Sequence, residues 1–353
     1  MSENKTNISP EKKGRNKKKG AIAIVLVMAL VIGGTLAYLG TRSNDKENVF
    51  EGSKDISLTL TEPKWDDTKD NEAVPEKERA KEYTPGGIYL KNPKLYNSSE
   101  DTNATEWVAM KISFQLEDLE KMKNDAGEEI ARTPYSDTTK KLIQPIDKDK
   151  IVLKDATWEE IGKLINIQIA NTGADKDTIP YKTEFNADWT LICTSEDVDA
   201  SGKLPANFTY GNKTSIESDA TWAIFIFKKT ISNNTDKDNI TDANKDTFDT
   251  WAVNNNGVTT SLFDRIQVLP QNTIIGNGYK KANPNQTDKD TYPEVNVYLP
   301  KFEIKVEGAA IKNEIRGTDT NLISELTSLD SVDANSVKKE LMGLFGVDTS
   351  NLG

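Results

Sequence analysis

An acidic stretch in the middle of the chain has the spacing of the first half of a calcium loop. The segment DVDASG (197–202) places Asp197, Asp199 and Ser201 at positions 1, 3 and 5, with a glycine at position 6. An EF-hand loop needs such oxygen ligands and also a glutamate at position 12 that binds the ion through both carboxylate oxygens. Phe208 stands at that position. The pattern therefore predicts solvated loop charges, and calcium is the one cofactor that it leaves open.

Other catalytic chemistry is restricted by what the sequence lacks. The chain contains no histidine, which excludes Ser-His-Asp and Cys-His catalysis and histidine-ligated zinc. Cys193, the single cysteine, has apolar neighbours in TLICTS, so we expect a buried strand thiol rather than a nucleophile. A pair of carboxylates that hydrolyses glycosides would leave no local signature, but the cleft rich in Trp and Tyr that usually accompanies it is not evident. We therefore expect that this chain is not an enzyme.

The charge distribution argues against nucleic acid as a partner. Residues 1–37 hold seven of the 45 basic side chains and two of the 56 acidic ones. The rest of the chain thus has 38 basic and 54 acidic side chains, and a formal net charge of −16. A body this acidic repels phosphate backbones, and no stripe of Arg and Lys interrupts it.

An uncharged run follows a strongly basic one near the N-terminus. Residues 20–40 contain no charged side chain and are long enough for a membrane helix. The basic residues before it predict that 1–19 stay cytoplasmic and that everything after 40 is exported. Thr35 and Ala37 fit the small-residue requirement of signal peptidase, which predicts cleavage after Ala37 and a mature chain that begins at Tyr38. An uncleaved membrane anchor is the alternative.

The exported part has mainly the two-residue periodicity of β-strands. Alternating apolar positions are Ile56, Leu58 and Leu60; Val108, Met110, Ile112, Phe114 and Leu116; Ile165, Ile167 and Ile169; and Phe302, Ile304 and Val306. The run ATWAIFIFKK is apolar on both faces around 224–227, which is typical of a central strand that is covered on both sides. Regular amphipathic helices between the strands, which a parallel sheet would need, are missing. The sequence therefore predicts an all-β fold, an antiparallel, jelly-roll-like β-sandwich with long loops.

A few short helices are predicted among the strands, at 116–129, 157–164 and 259–267. In the second of these, Thr157 and Glu160 have the spacing of a capping box. The C-terminal tail, residues 316–353, has apolar side chains at helical spacing. They fall into two groups, Leu322, Ile323, Leu326 and Leu329, then Val337, Leu341, Leu344 and Phe345. We expect two amphipathic helices there, which either pack back onto the sandwich or contact another subunit.

Several stretches, taken in order, resemble one family. GGTLAYLGTRSNDKENVFEG is similar to a SipW-class signal peptide and the segment that follows it. DISLTLTEPKWDD, YTPGGIYLKNPKLYNSS, LFDRIQVLP and LPKFEIKVEGAAI resemble successive landmarks of the TasA-like, BsaA-type biofilm matrix proteins. In the second of these landmarks the resemblance rests on Pro85, Gly86, Lys91, Pro93 and Asn97. It covers most of residues 31–311.

That resemblance implies a secreted subunit of a Gram-positive bacterium that polymerises into extracellular biofilm matrix fibres. In the family, the N-terminal segment freed by signal cleavage is donated as a strand to the next subunit; here it would be about 38–52, with the apolar residues Tyr38, Leu39, Val49 and Phe50. Alternatively, the strand at 54–62 is itself exchanged. The predicted organisation is a signal peptide (1–37), a donor segment (38–53), a sandwich (54–315) and the C-terminal tail.

The implied partners are other copies of the chain, signal peptidase during export and an accessory fibre nucleator. Contact with the membrane is expected only through residues 20–40, before cleavage. If that segment stays in the chain, the alternative function is a membrane-anchored surface adhesin or ligand-binding module.

Overall fold

The computed structural model describes the strand-rich part of the chain. The described residues are 49–51, 57–61, 83–97, 99, 105–133, 141–168, 183–210, 213–232, 257–283, 295–313 and 334–352. All of them belong to one compact unit, Gly34–Gly353. The predicted signal peptide and the first of the two predicted C-terminal helices lie outside the described residues.

Fifteen β-strands and three α-helices occur in these ranges. The strands are β1 (Val49–Glu51), β2 (Ser57–Thr61), β3 (Ile88–Leu90), β4 (Lys94–Asn97), β5 (Thr105–Lys123), β6 (Glu129–Ala131), β7 (Ile151–Asp155), β8 (Ile165–Gln168), β9 (Trp189–Thr194), β10 (Trp222–Phe227), β11 (Ile231–Ser232), β12 (Arg265–Val268), β13 (Lys280–Ala282), β14 (Val295–Val297) and β15 (Phe302–Lys312). The helices are α1 (Trp158–Gly162), α2 (Gln271–Gly276) and α3 (Ala334–Leu344). Every pair of these strands is antiparallel, so the predicted all-β, antiparallel sandwich class is confirmed.

Strand β5 is the centre of the largest sheet, which we call the main sheet. β15 pairs with one edge of β5 in an unbroken register from Phe302↔Leu116 to Lys312↔Glu106. β10 pairs with the other edge, and β9 extends the sheet beyond β10. β11 pairs with the start of β5, whereas β6 and β7 pair with its far end. Because other strands pair with β5 on both of its edges, a strand of 19 residues is stable along its whole length.

Two smaller sheets, β1–β2–β4 and β3–β12–β8, pack on the inner face of the main sheet. The predicted inward side chains of β5 are all buried there, from Val108 to Leu116. They share one apolar core with Leu58 of the first small sheet and with Ile167 and Ile266 of the second. Sheet packed against sheet in this way is the sandwich that the alternation predicts.

The segment 83–97 joins the two smaller sheets. Pro85 and Gly86 form a turn in which Gly86 has a φ of 75° and the Gly87 N–H donates to the Thr84 carbonyl at 2.9 Å. Such a turn requires a residue that tolerates positive φ, which is why glycine follows proline here. After β3, Lys91, Asn92 and Pro93 are buried where the chain passes from one sheet to the other.

The outer face of the main sheet is apolar at one end, and α3 covers that end. Trp107, Ile226 and Ile311 of the sheet are buried against Leu341 and Met342 of the helix. The second predicted C-terminal helix therefore packs back onto the sandwich. Leu344, which was also expected to face inward, is 46% exposed. Strand β10 is consequently covered on both faces, as its uniformly apolar sequence predicted.

Helix α3 ends in a Schellman motif that directs the chain back to the sheet. Gly346 has a φ of 82°, its N–H donates to Gly343, and the Val347 N–H donates to the Met342 carbonyl at 3.2 Å. Asp348 then exchanges backbone hydrogen bonds with the Gly202–Leu204 segment. These bonds fix the C-terminal end of the chain on the loop after β9.

The helix predicted at 157–164 is confirmed as α1. Thr157 caps it: its hydroxyl accepts from the Glu160 N–H at 3.2 Å, and the Glu160 carboxylate accepts from the Thr157 N–H at 2.9 Å. This is the reciprocal capping box that the spacing indicated.

The other two helices predicted between the strands are wrong. Residues 116–123 continue β5, because β6 and β7 pair with its two edges there and override the local helical preference. Residues 265–268 form β12, between β3 and β8, so 259–267 is not helical either. In both cases hydrogen-bonded strand partners that are distant in sequence decide the conformation.

Candidate functional site

The edge formed by β1 and β2 is the candidate assembly site. β1 pairs with β2 in the register Val49↔Thr59, Phe50↔Leu58 and Glu51↔Ser57. It is the outer strand of its sheet, only three residues long, and five residues connect it to β2. A short outer strand contributes few backbone hydrogen bonds, so exchanging it for an equivalent strand leaves the rest of the sheet intact.

β2, in contrast, is fixed to the core. Leu58 and Leu60 are 0% and 1% exposed. β2 and β4 approach β15 so closely that a Cβ on Gly308 would lie 2.6 Å from the Leu95 Cδ2 and 3.4 Å from the Leu58 Cδ2. Glycine at 308 therefore permits the small sheet to sit directly on the main one.

The opposite edge of this small sheet is closed by the chain itself. The Thr259 N–H donates to the Leu95 carbonyl at 2.8 Å, and the Thr259 hydroxyl accepts from the Leu95 N–H at 3.0 Å. Tyr96 forms a bridge with Val258. Strand exchange on this sheet is thus confined to the side of β2 that β1 covers.

The predicted assembly residues fall partly in this edge. Val49 and Phe50 belong to β1, while Tyr38, Leu39 and the predicted cleavage site after Ala37 lie outside the described residues. Cleavage stays a prediction. In the described ranges, no helix has the length and apolar character needed to cross a bilayer.

The two aspartates of the candidate calcium loop have separate partners. Asp199 Oδ1 accepts from the Ser201 N–H at 2.8 Å, the Ser201 hydroxyl at 2.6 Å and the Lys203 N–H at 3.1 Å. These hydrogen bonds lower the pKa of Asp199, and the bond from the Ser201 hydroxyl has the largest effect. Asp197 instead pairs with the Lys213 ammonium at 2.9 Å. Among the described residues, no three His, Cys, Asp or Glu side chains are grouped to hold a metal ion.

Cys193 is the buried strand thiol that its neighbours indicated. It lies in β9 and is 0% exposed. Burial raises the pKa of its thiol, which keeps the sulfur protonated and unreactive at neutral pH.

A cleft of about 380 Å³ lies on the outer face of the main sheet, on the part that α3 leaves open. The outer face of β5 changes at Lys111 from apolar to polar side chains, and Ser113 and Gln115 continue the polar part. Trp222 of β10 and Asp155 of β7 flank one side of this row, while Glu303, Lys305 and Glu307 of β15 flank the other. We call this site the outer cleft.

Lys111 is the cation of the outer cleft that makes no ion pair in the described part of the chain, whereas Lys305 pairs with Glu307. Its ammonium lies 4.8 Å from the centre of the Trp222 ring, and within the described ranges it makes no hydrogen bond or ion pair. Burial, which is the largest influence, lowers its pKa, although the nearby Glu307 acts in the opposite direction. A cation held over an aromatic face in this way is only weakly stabilised.

The acidic groups of the outer cleft are already engaged. Glu303 pairs with the Lys301 ammonium at 3.1 Å, and Glu307 pairs with Lys305. Asp155 accepts a hydrogen bond from the Gln115 amide at 3.3 Å. The site therefore combines one available cation with carboxylates that have local partners.

A buried charge network at the far end of β5 was not predicted. Glu117 is 1% exposed and pairs with the Arg132 guanidinium at 2.8 Å. Its carboxylate also accepts from the Tyr298 hydroxyl at 2.5 Å and from the Lys301 N–H at 3.0 Å. Burial, followed by the hydrogen bond to Glu117, raises the pKa of Tyr298. Only tertiary contacts reveal this network, because its members are far apart in sequence.

Sequence inspection also missed the outer cleft, although a signal was present. On the outer face of β5, the side chains are apolar at Trp107 and Ala109 and become polar from Lys111 onward. Comparison of the chain with protein-family models, with curated proteins and with solved structures found no match.

Proposed function

We propose that this chain is a secreted structural subunit that polymerises into extracellular biofilm matrix fibres by exchange of β1 between neighbouring copies. The resemblance of its sequence motifs to the TasA-like family supports the proposal. One structural observation carries the proposal: β1 is the outer strand of its sheet and pairs with β2. The other edge of the sheet, at β4, is covered by residues 257–262.

In the monomer, β1 occupies the edge of its own β2. In the fibre, the same segment of the preceding copy takes that position, so the backbone hydrogen bonds that are lost within one chain are regained between two chains. The net difference between the two pairings is small, and the strand is free to exchange only after the segment before it leaves the membrane. Polymerisation is thereby coupled to export. The proposal assigns no catalytic activity and no cofactor to the subunit.

A cysteine pair across β1 and β2 tests this exchange. Glu51 and Ser57 are register partners, so Glu51→Cys with Ser57→Cys, in a Cys193→Ser background, joins β1 to whichever β2 it pairs with. Fibres are assembled under reducing conditions from protein exported by a Gram-positive host, then oxidised and run on a non-reducing denaturing gel. We expect a ladder of covalent multimers. Oxidation before assembly is expected to prevent fibres and to leave monomers.

A matched control pair is Lys280→Cys with Val297→Cys, which are register partners in the β13–β14 hairpin. This pair is expected to give monomers both before and after assembly. Fibres whose β1–β2 bond lies entirely within single chains would contradict strand exchange. Protein that forms no fibres under any condition would contradict the subunit proposal itself.

A second candidate, a membrane-anchored ligand-binding module, is favoured by one observation, the outer cleft with its available cation. Mass spectrometry of the N-terminus of the exported protein separates the two functions. A chain that begins at Tyr38 supports the secreted subunit, whereas a chain that retains residues 20–40 supports the anchored module.

A further inference from the structure

The outer cleft has an unusual charge balance. Its acidic side chains have local partners. Among the described residues, the ammonium group of Lys111 lies over the face of Trp222 and makes no ion pair, although Glu307 is its neighbour on β15. An incoming group that complements the site must therefore be an acceptor with negative charge at Lys111. Farther along the cleft from Lys111, the ligand must offer hydroxyl groups or similar donors to Gln115 and Asp155.

We propose that the outer cleft binds a carboxylate-bearing sugar, a uronic acid unit within a polysaccharide, with its carboxylate on the Lys111 ammonium. Ser113 and Gln115 follow Lys111 at two-residue steps on the same face of β5, each step spanning about 7 Å. They contact the hydroxyl groups of the same sugar and of its neighbour. This inference goes beyond fibre assembly and does not rest on it.

The acids around Lys111 restrict the kind of anion. Asp155, Glu303 and Glu307 line the same cleft as Lys111 and Lys305. A polyphosphate or another densely charged chain would place negative groups against these carboxylates and be repelled. A sugar with one carboxylate and several neutral hydroxyl groups meets the cation with much less of that repulsion, since only one negative group approaches Glu307.

The backbone argues for a sugar rather than a peptide. β5 is paired with β10 on one edge and with β15 on the other along the cleft floor, from Lys111 to Ser113. It therefore offers no free backbone groups for the strand addition by which peptides are commonly recognised. The floor is also not an apolar groove of the kind that receives a helix. Recognition must come from side chains, which suits hydroxyl groups.

The burial of Lys111 agrees with this assignment. Burial removes water from the Lys111 ammonium and thereby lowers its pKa, so this charge is poorly solvated in the cleft. A carboxylate that arrives there replaces missing solvation rather than competing with bulk water. The interaction is then stronger than one with a fully hydrated surface lysine.

Calorimetric titration of the full chain in mild detergent tests the proposal. The probe is a galactotriose in which only the middle sugar is oxidised to galacturonic acid, so that it carries one carboxylate, and unmodified galactotriose is its neutral counterpart. We expect the acidic trisaccharide to bind and the neutral one to bind at least tenfold more weakly. Lys111→Gln is expected to weaken binding of the acidic probe at least tenfold. Ser113→Ala, which leaves the cation in place, is expected to weaken it about threefold by removing one hydrogen bond.

Lys121→Gln is the matched control, because it removes the same charge from the same strand outside the cleft, where Lys121 is 55% exposed. Its affinity is expected to stay within twofold of the unmodified chain. Absence of binding, equal binding of galactotriose, or unchanged affinity in Lys111→Gln would overturn the proposal. A triglutamate peptide that binds as tightly as the sugar acid, and equally needs Lys111, would overturn the choice of a sugar.

Discussion

Two charged residues of the same strand, Glu117 and Lys111, occupy opposite situations. Glu117 is almost fully buried, and both of its carboxylate oxygens are satisfied by Arg132, Tyr298 and a backbone N–H. Lys111 is partly buried in the outer cleft and lies over an aromatic face, but it makes no ion pair in the described part of the chain. A charge that serves the fold is paired when it is desolvated, because leaving it unpaired costs several kcal/mol. A desolvated charge without a partner indicates a group that is kept for a ligand.

The largest effect is expected from breaking the paired end of β5. Arg132→Met leaves Glu117 buried without its cation, so the free energy of unfolding should fall by about 3–5 kcal/mol. Urea unfolding monitored by tryptophan fluorescence measures the loss. The control is Lys121→Met, which breaks an exposed pair at 3.5 Å and should cost at most about 1 kcal/mol.

Replacing both members of the buried pair should restore most of that loss. In Glu117→Leu with Arg132→Met no unpaired charge remains, and apolar side chains of similar volume occupy the site. A double variant as unstable as Arg132→Met alone would show that the surrounding hydrogen bonds, rather than the ion pair, hold this end of β5. In that case ion pairing would not be what distinguishes Glu117 from Lys111.

A smaller effect of opposite sign is expected at the unpaired position. Lys111→Met removes a poorly solvated ammonium and keeps the packing of the side-chain methylenes, so the free energy of unfolding should rise by about 1 kcal/mol. Loss of the interaction with Trp222, worth about 0.5–1 kcal/mol, limits the gain. A thermal melt compares it with Lys121→Met, which lies outside the outer cleft and should not raise the melting temperature. Destabilisation by Lys111→Met would mean that the ammonium serves the fold.

The smallest effect is a dependence of stability on pH. Burial lowers the pKa of Lys111 below its usual 10.5, so above the folded pKa and up to 10.5 the unfolded chain binds more protons than the folded one. The free energy of unfolding therefore rises with pH in that window. Lys111→Met should lack this rise. Urea unfolding of both proteins at several pH values between 8 and 10 should show the advantage of the variant shrinking as pH increases.

Other titrating groups near Lys111 do not obscure this comparison. Burial raises the pKa of the Cys193 thiol, and this thiol and the other side chains of the outer cleft are the same in both proteins. The raised pKa values of buried tyrosines such as Tyr83 and Tyr298 act equally in the chain and its variant. A pH-independent difference between the two proteins would show that the Lys111 ammonium is as well solvated in the folded state as in the unfolded one.

Local sequence alone predicted the elements whose partners are close in the chain or whose pattern is strict. The alternation from Val108 to Leu116 predicted the inner face of β5, since side chains of a strand point alternately to its two sides. Thr157 and Glu160 predicted α1 because a capping box is complete within four residues. The apolar run in β10 predicted burial on both faces, and the lack of a basic neighbour in sequence predicted an inert Cys193.

Tertiary structure decided the features whose partners are distant in sequence. Residues 116–123 are helical in composition but form a strand, because β6 and β7 supply hydrogen bonds on both edges. Gly308 lies inside β15, and only the contact with Leu95 shows why no side chain fits there. Lys111 and Glu117 are both charged residues of the strand β5. In the folded chain Glu117 is neutralised by its partners, whereas Lys111 makes no ion pair. Sequence could not distinguish the two, because the groups around each come from segments up to about 200 residues away.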